Sequence, residues 1–333
     1  MEFKGITLHN VRELELNEET GGYKMSRLPS AVVASMHTHA YSASGVELRF
    51  VPISDEIKIK IRAVGGASRV LVYYGSVLSG WKNLYKTIYT EPTEITIPKS
   101  SVLDRLALLS EKGALPFSHE VVRVVLQNVQ YEIFDVIGEC RPPRPDELPK
   151  TKYLAYGSSI THGSLAGLYS NCYAARIAEG MDADNYNLGF AGSAWMEREV
   201  ADYISENIEF DFATLEMGVN VFNKIEPEEL YERVLYFVER VAKSHPNAKI
   251  FCTDIFGLCS DAVGANNPES KINRSRKAVE DAVKKLALPN VIFARGLDLL
   301  CGARLISEDM THPNLRGHEE LARNFLEVIR KNI

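Results

Sequence analysis

The stretch YLAYGSSITHG, residues 153–163, begins with a short apolar run and passes through Gly157 into small hydroxyl residues. A short apolar run that ends in a turn is typical of a strand buried on both faces of a parallel sheet. The same pattern recurs in NYNLG (185–189), FATLEMG (212–218), KIFCTDIFG (249–257) and NVIFARG (290–296). The pattern therefore predicts five parallel strands in this half of the chain.

Helical patterns lie between these runs. Residues 229–245 place five apolar side chains on one helical face, namely Leu230, Val234, Phe237, Val238 and Val241. Residues 271–288 and 317–333 show the same period. Strands that alternate with helices predict an α/β domain in which helices cover a parallel sheet. Such sheets bind their ligands beyond the C-terminal ends of the strands, so the functional residues are expected there.

The first 140 residues follow a period of two instead. VELRFVPI (46–53) and EIKIKIRAV (56–64) alternate apolar and polar residues, and three later segments continue this style, at 69–77, 93–99 and 121–129. No long helical pattern intervenes, so residues 1–140 predict an all-β sandwich of the jelly-roll type. Four prolines occur within the eleven residues 140–150, which predicts an extended linker at 141–150. Residues 151–333 then form the α/β domain.

Composition limits the classes of function. The chain has 333 residues and a formal net charge of −6, which argues against nucleic acid as a partner. No apolar run reaches the roughly 18 residues of a membrane span, and the first residues do not resemble a secretory signal. The five cysteines are scattered and odd in number, as expected for reduced thiols. These observations predict a cytoplasmic protein without a membrane partner.

Four loops at the predicted C-terminal edge of the sheet, or just before the last helix, carry complementary chemistry. They contain Ser159, Gly192, Asn220, and the pair Asp309 and His312. Acyl transfer needs a nucleophile, a base, a group that orients the base, and donors for the oxyanion. Ser159 can attack, His312 can accept its proton, and Asp309, three residues earlier, can orient the imidazole. The Ser159 and Gly192 backbone N–H groups and the Asn220 amide can bind the oxyanion.

The segments GSSIT, NLGFAG, GVN and DMTHP resemble, in order and spacing, four sequence blocks of the SGNH (GDSL-like) hydrolase superfamily. The resemblance covers residues 150–333 and implies a flavodoxin-like three-layer α/β/α fold. It implies that Ser159 is the nucleophile and that Asp309 and His312 complete a catalytic triad. Gly192 and Asn220 match the oxyanion donors of the family, together with the Ser159 N–H.

The chain departs from the family pattern at two positions. Ser158 replaces the usual aspartate of Gly-Asp-Ser, and Val221 replaces the acid that usually follows the asparagine. Neither position belongs to the triad, so the resemblance implies that the chemistry survives both replacements. Both variants are similar to those of acetyl-ester hydrolases in the same superfamily.

A β-sandwich followed by an SGNH domain resembles the two-domain carbohydrate acetyl esterases, including family two of the carbohydrate esterases. This resemblance implies a small-molecule ester substrate, with a short acyl group, acetyl above all, on a sugar. It implies no metal and no organic cofactor. A homo-oligomer is possible, and the sequence does not fix the oligomeric state, the acyl group or the alcohol.

Three alternatives stay open. A lipase, lysophospholipase or thioesterase would use the same triad on another substrate. A carbohydrate-binding protein would keep the α/β domain as an inactive scaffold. A phosphate or nucleotide binder would use residues 157–163 as an anion nest, although the motif Gly-x-x-x-x-Gly-Lys is missing.

Several further residues have less specific patterns. His37-Thr38-His39 has the spacing of some metal sites, but it lacks neighbouring carboxylates, so a surface pair is the expectation. His162 and Trp195 lie close to the candidate site in sequence. Trp81 and Tyr85 belong to a turn of the β-rich half. Whether any of these four side chains lines a substrate pocket is left open by the sequence.

Overall fold

A computed structural model describes residues 1–36, 40–81, 83–264 and 267–333. The His37–His39 motif therefore lies outside the described residues. The chain divides into two compact units. The first contains Met1–Ser30, Ala40–Lys150 and Asp182–Asp184, and the second consists mainly of Thr151–Met181 and Asn185–Ile333.

Short strands dominate the described part of residues 1–150. They are β1 (Glu2–Phe3), β2 (Ile6–His9), β3 (Glu13–Leu16), β4 (Tyr23–Ser26), β5 (Glu47–Pro52), β6 (Glu56–Val64), β7 (Ser68–Tyr74), β8 (Val77–Leu78), β9 (Tyr85–Ile88), β10 (Thr93–Pro98), β11 (Val122–Val125), β12 (Gln130–Ile137) and β13 (Cys140–Arg141). Helices α1 (Ser30–Val33) and α2 (Leu103–Gly113) interrupt them. One sheet has the order β1-β2-β5-β11-β7-β8, with β13 beside β5 and β9 beside β7, and the other has the order β10-β6-β12-β4-β3.

The period of two in β6 decides how these sheets pack. Ile57, Ile59 and Ile61 are fully buried, and the lysines between them point away from the core. Side chains from the other sheet, including Leu48 and Val72, belong to the same hydrophobic cluster. Two antiparallel sheets thus enclose one core, which confirms the predicted β-sandwich. The jelly-roll connectivity stays a prediction.

Two details of the first unit differ from the sequence-based expectation. The expected absence of helices is wrong, because α2 spans eleven residues. Leu106 is its buried side chain while Leu108 and Leu109 are more than half exposed, so its apolar period is weak. Strand β5 is buried on both faces rather than one, and its buried Glu47 accepts hydrogen bonds from the buried Arg49 and from Arg123.

The proline-rich segment 141–150 forms a local ion-paired turn. Arg141 donates two hydrogen bonds to the Glu147 carboxylate, at 2.8 and 2.7 Å, and a 3₁₀ turn covers Pro145–Glu147. The Arg144 backbone N–H donates to the same carboxylate at 2.6 Å. These contacts restrict the backbone of the segment, and residues 141–150 contain no glycine that would make it more flexible.

The second unit alternates strands and helices along the chain. Its elements are β14 (Thr151–Gly157), α3 (Ser159–His162), α4 (Tyr173–Gly180), β15 (Ala183–Gly189), α5 (Arg198–Asn207), β16 (Phe212–Glu216), α6 (Pro227–Ser244), β17 (Lys249–Thr253), α7 (Cys259–Ala262), α8 (Lys271–Leu286), β18 (Val291–Ala294), α9 (Gly296–Leu299) and α10 (Leu315–Arg330). The parallel sheet has the order β15-β14-β16-β17-β18. This is the flavodoxin-like order, so the predicted fold class is confirmed.

Helices cover both faces of this sheet. Tyr156 of β14 packs its ring against Phe237 of α6, at 4.5 Å between ring centroids. Tyr153, three residues earlier on the same strand, points to the opposite face. That face belongs to α4 and α10, whose Tyr173 and Phe325 rings stack at 5.7 Å. Aromatic burial on both faces explains why β14 reads as a continuous apolar run.

Strand β15 ends where it touches the segment after β14. The Phe190 N–H donates to the Gly157 carbonyl at 2.7 Å, and the Asn187 side chain donates to the Thr161 carbonyl at 2.8 Å. A Cβ on Gly189 would lie only 2.2 Å from the His162 backbone nitrogen. The close packing of β15 on helix α3 therefore requires glycine at this position.

Replacing Gly189 with Ala should lower the free energy of unfolding by about 1–3 kcal/mol, because backbone atoms must move to admit the methyl group. Denaturant melts measure this change. Gly66→Ala is the matched control, since a Cβ there meets nothing within 4 Å. Equal stability of the two variants would contradict the proposed close packing.

A buried acid follows strand β17. Asp254 is almost fully buried, and its Oδ1 accepts a hydrogen bond from the Gly296 N–H at 2.6 Å. Burial raises the pKa of Asp254 from its ordinary value of 3.8 to about 7, although the Gly296 N–H and the Arg276 charge oppose the shift. The folded chain therefore holds this proton more tightly than the unfolded chain does.

The stability of the wild type should consequently fall as the pH rises from about 4 to about 7, relative to Asp254→Asn, whose side chain cannot ionise. The difference should reach roughly 2–4 kcal/mol by pH 8. Denaturant melts of both proteins at several pH values measure it. Parallel pH profiles would show that Asp254 keeps an ordinary pKa.

Candidate active site

The predicted site residues follow the C-terminal ends of neighbouring strands. Ser159 begins helix α3, two residues after β14 ends. Gly192 follows β15, and Asn220 follows β16. Because the strands of this sheet are parallel, these loops emerge at the same edge. Asp309 and His312 lie in the loop before α10.

Three of these side chains form a continuous chain of hydrogen bonds. Ser159 Oγ lies 2.6 Å from His312 Nε2, and His312 Nδ1 lies 2.6 Å from Asp309 Oδ2. A proton on Nδ1 bonds to the carboxylate and leaves Nε2 free to accept from the serine hydroxyl. The arrangement can therefore move a proton from the serine to the imidazole.

The Asp309 carboxylate is held by the loop that carries it. Its Oδ1 accepts from the backbone N–H groups of His312, at 2.9 Å, and Thr311, at 3.1 Å. Burial pushes the pKa of Asp309 upward, but these two N–H groups and the His312 ring outweigh it and hold the pKa below its ordinary value. The Asp309 side chain keeps its charge in neutral solution and is 40% exposed, against 24% for His312.

The loop itself closes through its own backbone. The Ser307 N–H donates to the His312 carbonyl at 2.8 Å, and Ile306 and Pro313 form an isolated β-bridge. Met310, between the two triad candidates, adopts a left-handed conformation with φ of 63°. The fold thus sets the separation of Asp309 and His312 within one short segment.

Helix α3 has only four residues and depends on its caps. The Ser158 side chain accepts from the Ile160 N–H at 3.1 Å, and Gly163 ends the helix in the left-handed conformation. As the first helical residue, Ser159 has no intrahelical acceptor for its N–H. That N–H is thus available to a ligand at the sheet edge.

The Gly192 loop is fixed by a series of backbone hydrogen bonds. Gly192 has a φ of 72°, which favours glycine. The Ser193 N–H donates to the Phe190 carbonyl at 3.0 Å. The Ala194 N–H donates to Asn220 Oδ1 at 3.1 Å, so the Gly192 and Asn220 loops are directly joined. The Asn220 oxygen is the acceptor in this bond, so the NH₂ group of the same amide is the part that could donate to a ligand.

The loop continues through Trp195, a candidate from the sequence, and through Met196 and Glu197, which the sequence did not indicate. The Trp195 indole Nε1 donates to the Gly192 carbonyl at 3.1 Å, and the Trp195 backbone N–H donates to Glu197 at 3.2 Å. The Met196 N–H donates to the Tyr156 hydroxyl at 3.0 Å. Burial raises the pKa of Glu197 to about 7. Trp195 thereby borders Gly192, whereas the sequence left its place open.

A buried acid on the neighbouring strand contacts the residues on either side of the candidate nucleophile. Glu216, at the end of β16, is 1% exposed and accepts hydrogen bonds from Ser158 and Thr161. Its position in the apolar run FATLEMG was a usable signal, because an unpaired acid in a buried strand is unusual. Glu216 was not among the residues predicted from the sequence to form the site.

The remaining candidates lie apart from these bonds or inside the core. His162 is buried at the end of α3, 4% exposed. Trp81 is 98% exposed and Tyr85 is 45% exposed, and both belong to the first unit. Among the described residues, no group of three or more His, Cys, Asp or Glu side chains could hold a metal ion. Within the same residues, every helix is too short or too polar to span a bilayer.

Solved structures with the same fold cover nearly the whole chain. Salicylyl-acyltransferase SsfX3 from a tetracycline biosynthetic pathway matches with a TM-score of 0.79 at 18% identity, covering 98% of this chain and 94% of that one. A family two carbohydrate esterase from Clostridium thermocellum, in complex with cellohexaose, matches with a TM-score of 0.63 at 14% identity and 98% coverage of both chains.

An acetyl xylan esterase from the rumen bacterium Butyrivibrio proteoclasticus matches with a TM-score of 0.59 at 13% identity, covering 99% of this chain and 96% of that one. At these identities the likeness establishes the fold. A search of curated protein sequences found no match.

The sequence model of one family matches residues 150–330, and its description is GDSL-like Lipase/Acylhydrolase family. The match contains the loops that carry Ser159, Gly192, Asn220, Asp309 and His312. Because it spans more than half of the 333 residues, this chain belongs to the GDSL-like lipase/acylhydrolase family.

Proposed function

We propose that this protein is a serine esterase that hydrolyses short-chain acyl esters, acetyl esters of carbohydrates above all, through an acyl-enzyme. The observation that carries the proposal is the pair of 2.6 Å contacts that links Ser159 to His312 and His312 to Asp309. Membership in a lipase and acylhydrolase family supports the class of reaction.

In the proposed reaction, Ser159 Oγ attacks the ester carbonyl carbon while its proton passes to His312 Nε2. Asp309 accepts a hydrogen bond from the Nδ1–H and stabilises the imidazolium. The oxyanion takes hydrogen bonds from the Ser159 and Gly192 N–H groups and the Asn220 amide. His312 then returns the proton to the leaving alcohol. Water, deprotonated by the same imidazole, releases the acid and restores the serine.

The choice of substrate rests on the relatives. Two neighbours with the same fold are named as a carbohydrate esterase, in complex with cellohexaose, and an acetyl xylan esterase. We therefore propose an acetylated sugar as the substrate. A lipase, lysophospholipase or thioesterase would prefer longer acyl groups or thioesters. The likeness to a salicylyl-acyltransferase makes transfer to an acceptor alcohol a further outcome to be measured.

Ser159→Ala should abolish ester hydrolysis, with a loss of about 10³-fold or more in kcat, because the acyl-enzyme cannot form. A series of p-nitrophenyl esters of increasing acyl length, followed by a panel of acetylated sugars, measures the activity. The wild type should prefer acetyl and should react with a fluorophosphonate probe at Ser159.

Each alternative gives a different result in the same experiment. A preference for long acyl chains would replace the acetyl esterase with a lipase. A purely carbohydrate-binding protein would neither hydrolyse any ester nor react with the probe. Product esters that form only when an alcohol is added would indicate acyl transfer. Unchanged turnover in Ser159→Ala would refute the mechanism.

Asn220→Ala should lower kcat by about 10²–10³-fold, the usual effect of removing one oxyanion donor, with a smaller change in KM. The same substitution also removes the acceptor of the Ala194 N–H. Asn220→Asp separates the two effects, because it keeps the acceptor oxygen and removes the NH₂ donor. Normal kcat in Asn220→Asp would exclude this amide from the oxyanion site.

A further inference from the structure

The carboxyl group of Glu216 binds both sides of the candidate nucleophile. Its Oε2 accepts from the Ser158 backbone N–H at 2.7 Å and from the Ser158 hydroxyl at 2.8 Å. The same oxygen accepts from the Thr161 hydroxyl at 2.9 Å. Residues 158 and 161 flank Ser159, so one oxygen from the neighbouring strand holds the turn that presents the serine.

The four-residue helix needs this support. A single helical turn is unstable by itself, since nucleation fixes several residues for few hydrogen bonds. Ser158 Oγ accepts a hydrogen bond from the Ile160 N–H and its hydroxyl donates one to Glu216, so the cap of this turn is itself held by the acid. Thr161 Oγ1 also bonds to the Tyr173 hydroxyl at 2.6 Å, which connects the turn to helix α4.

The surroundings of the other oxygen of Glu216 bear on whether the acid is protonated. Oε1 is buried and has no hydrogen-bond partner among the described residues. An unpaired oxygen is less costly on a neutral acid than on a carboxylate, because burial penalises charge far more than polarity. Burial raises the pKa of Glu216 from its ordinary value, although the hydrogen bonds from Ser158 and Thr161 oppose the shift.

A neutral acid also suits the proposed chemistry. Negative charge develops on the substrate oxygen next to Ser159 during attack. A carboxylate beneath the same turn would repel that charge at short range in a medium of low dielectric constant. An uncharged acceptor holds the turn without this penalty.

We propose that Glu216 is a positioning residue that acts as an uncharged hydrogen-bond acceptor and keeps Ser159 in register with His312. This inference rests on the proposed esterase function. It assigns one role to the end of strand β16 and another to the loop that follows: Glu216 positions the nucleophile, and Asn220, four residues later, serves the oxyanion.

Two variants of similar size test the proposal. Glu216→Gln keeps the acceptor oxygen and cannot ionise, so its kcat should stay within about threefold of the wild type. Glu216→Leu removes the acceptor, and its kcat should fall about 10- to 100-fold with KM nearly unchanged, as when a reacting group is misplaced. Asp254→Asn, which alters a buried acid after the adjacent strand, is the control and should keep wild-type kcat.

Thr161→Val provides a second route if Glu216→Leu fails to fold. It removes one of the three hydrogen bonds to Oε2 at nearly constant volume, and its kcat should fall by about 3- to 10-fold. Ser158→Ala removes another, with the same expectation. The rate of Ser159 labelling by a fluorophosphonate should follow kcat across all the variants.

The outcomes separate the two claims. If Glu216→Gln loses as much activity as Glu216→Leu, the charge is required and the inference is wrong. If Glu216→Leu, or both single-bond variants, keep wild-type kcat, the acceptor is not needed and the inference is also wrong. A wild-type protein that neither turns over esters nor reacts with the probe would instead refute the proposed function, and the inference with it.

Discussion

The hydrogen bond between Ser159 Oγ and His312 Nε2 joins groups that are 153 positions apart in the chain. Because the two residues are so far apart in sequence, a contact of 2.6 Å requires that the backbone around each of them is held in place separately. On one side, the parallel sheet fixes Ser159 through the end of β14. On the other, Asn314 caps α10 by accepting from the Gly317 N–H and donates to two carbonyls of the preceding loop. The proposed chemistry thus depends on the whole second unit.

The loops around the candidate site are fixed by hydrogen bonds from several directions. The loop after β15 is tied to Asn220, to Tyr156 and to its own Glu197. Met196 and Met310 hold left-handed conformations that cost free energy and persist because neighbouring contacts fix them. Buried acids at Glu197 and Glu216 have raised pKa values because of burial. Preorganisation of this kind is what stabilisation of an oxyanion requires.

Much of the second unit could be predicted from the sequence, because its strands are continuous apolar runs and its helices have a clear apolar face. The candidate triad could be predicted because Ser159, Asp309 and His312 lie in short motifs with fixed order. Other features had no local signal. Helix α2 exposes two of its four leucines, and the buried Glu47 of β5 bonds to Arg123, a partner 76 residues away. The bonds of Glu216 to Ser158 and Thr161 likewise depend on strand pairing, which no local pattern specifies.

The loop from Ile306 to Pro313 is closed by its own backbone contacts, and its Met310 carbonyl also accepts from the Cys259 N–H at 3.2 Å. Asp309 and His312 therefore lie in one locally closed segment, and the hydrogen bond between them does not depend on the position of the serine. Insertions before Arg304, outside these contacts, should leave the acid–imidazole bond intact. A rigid shift of the whole loop, by contrast, would break the hydrogen bond between His312 and Ser159 while the bond between His312 and Asp309 stays in place.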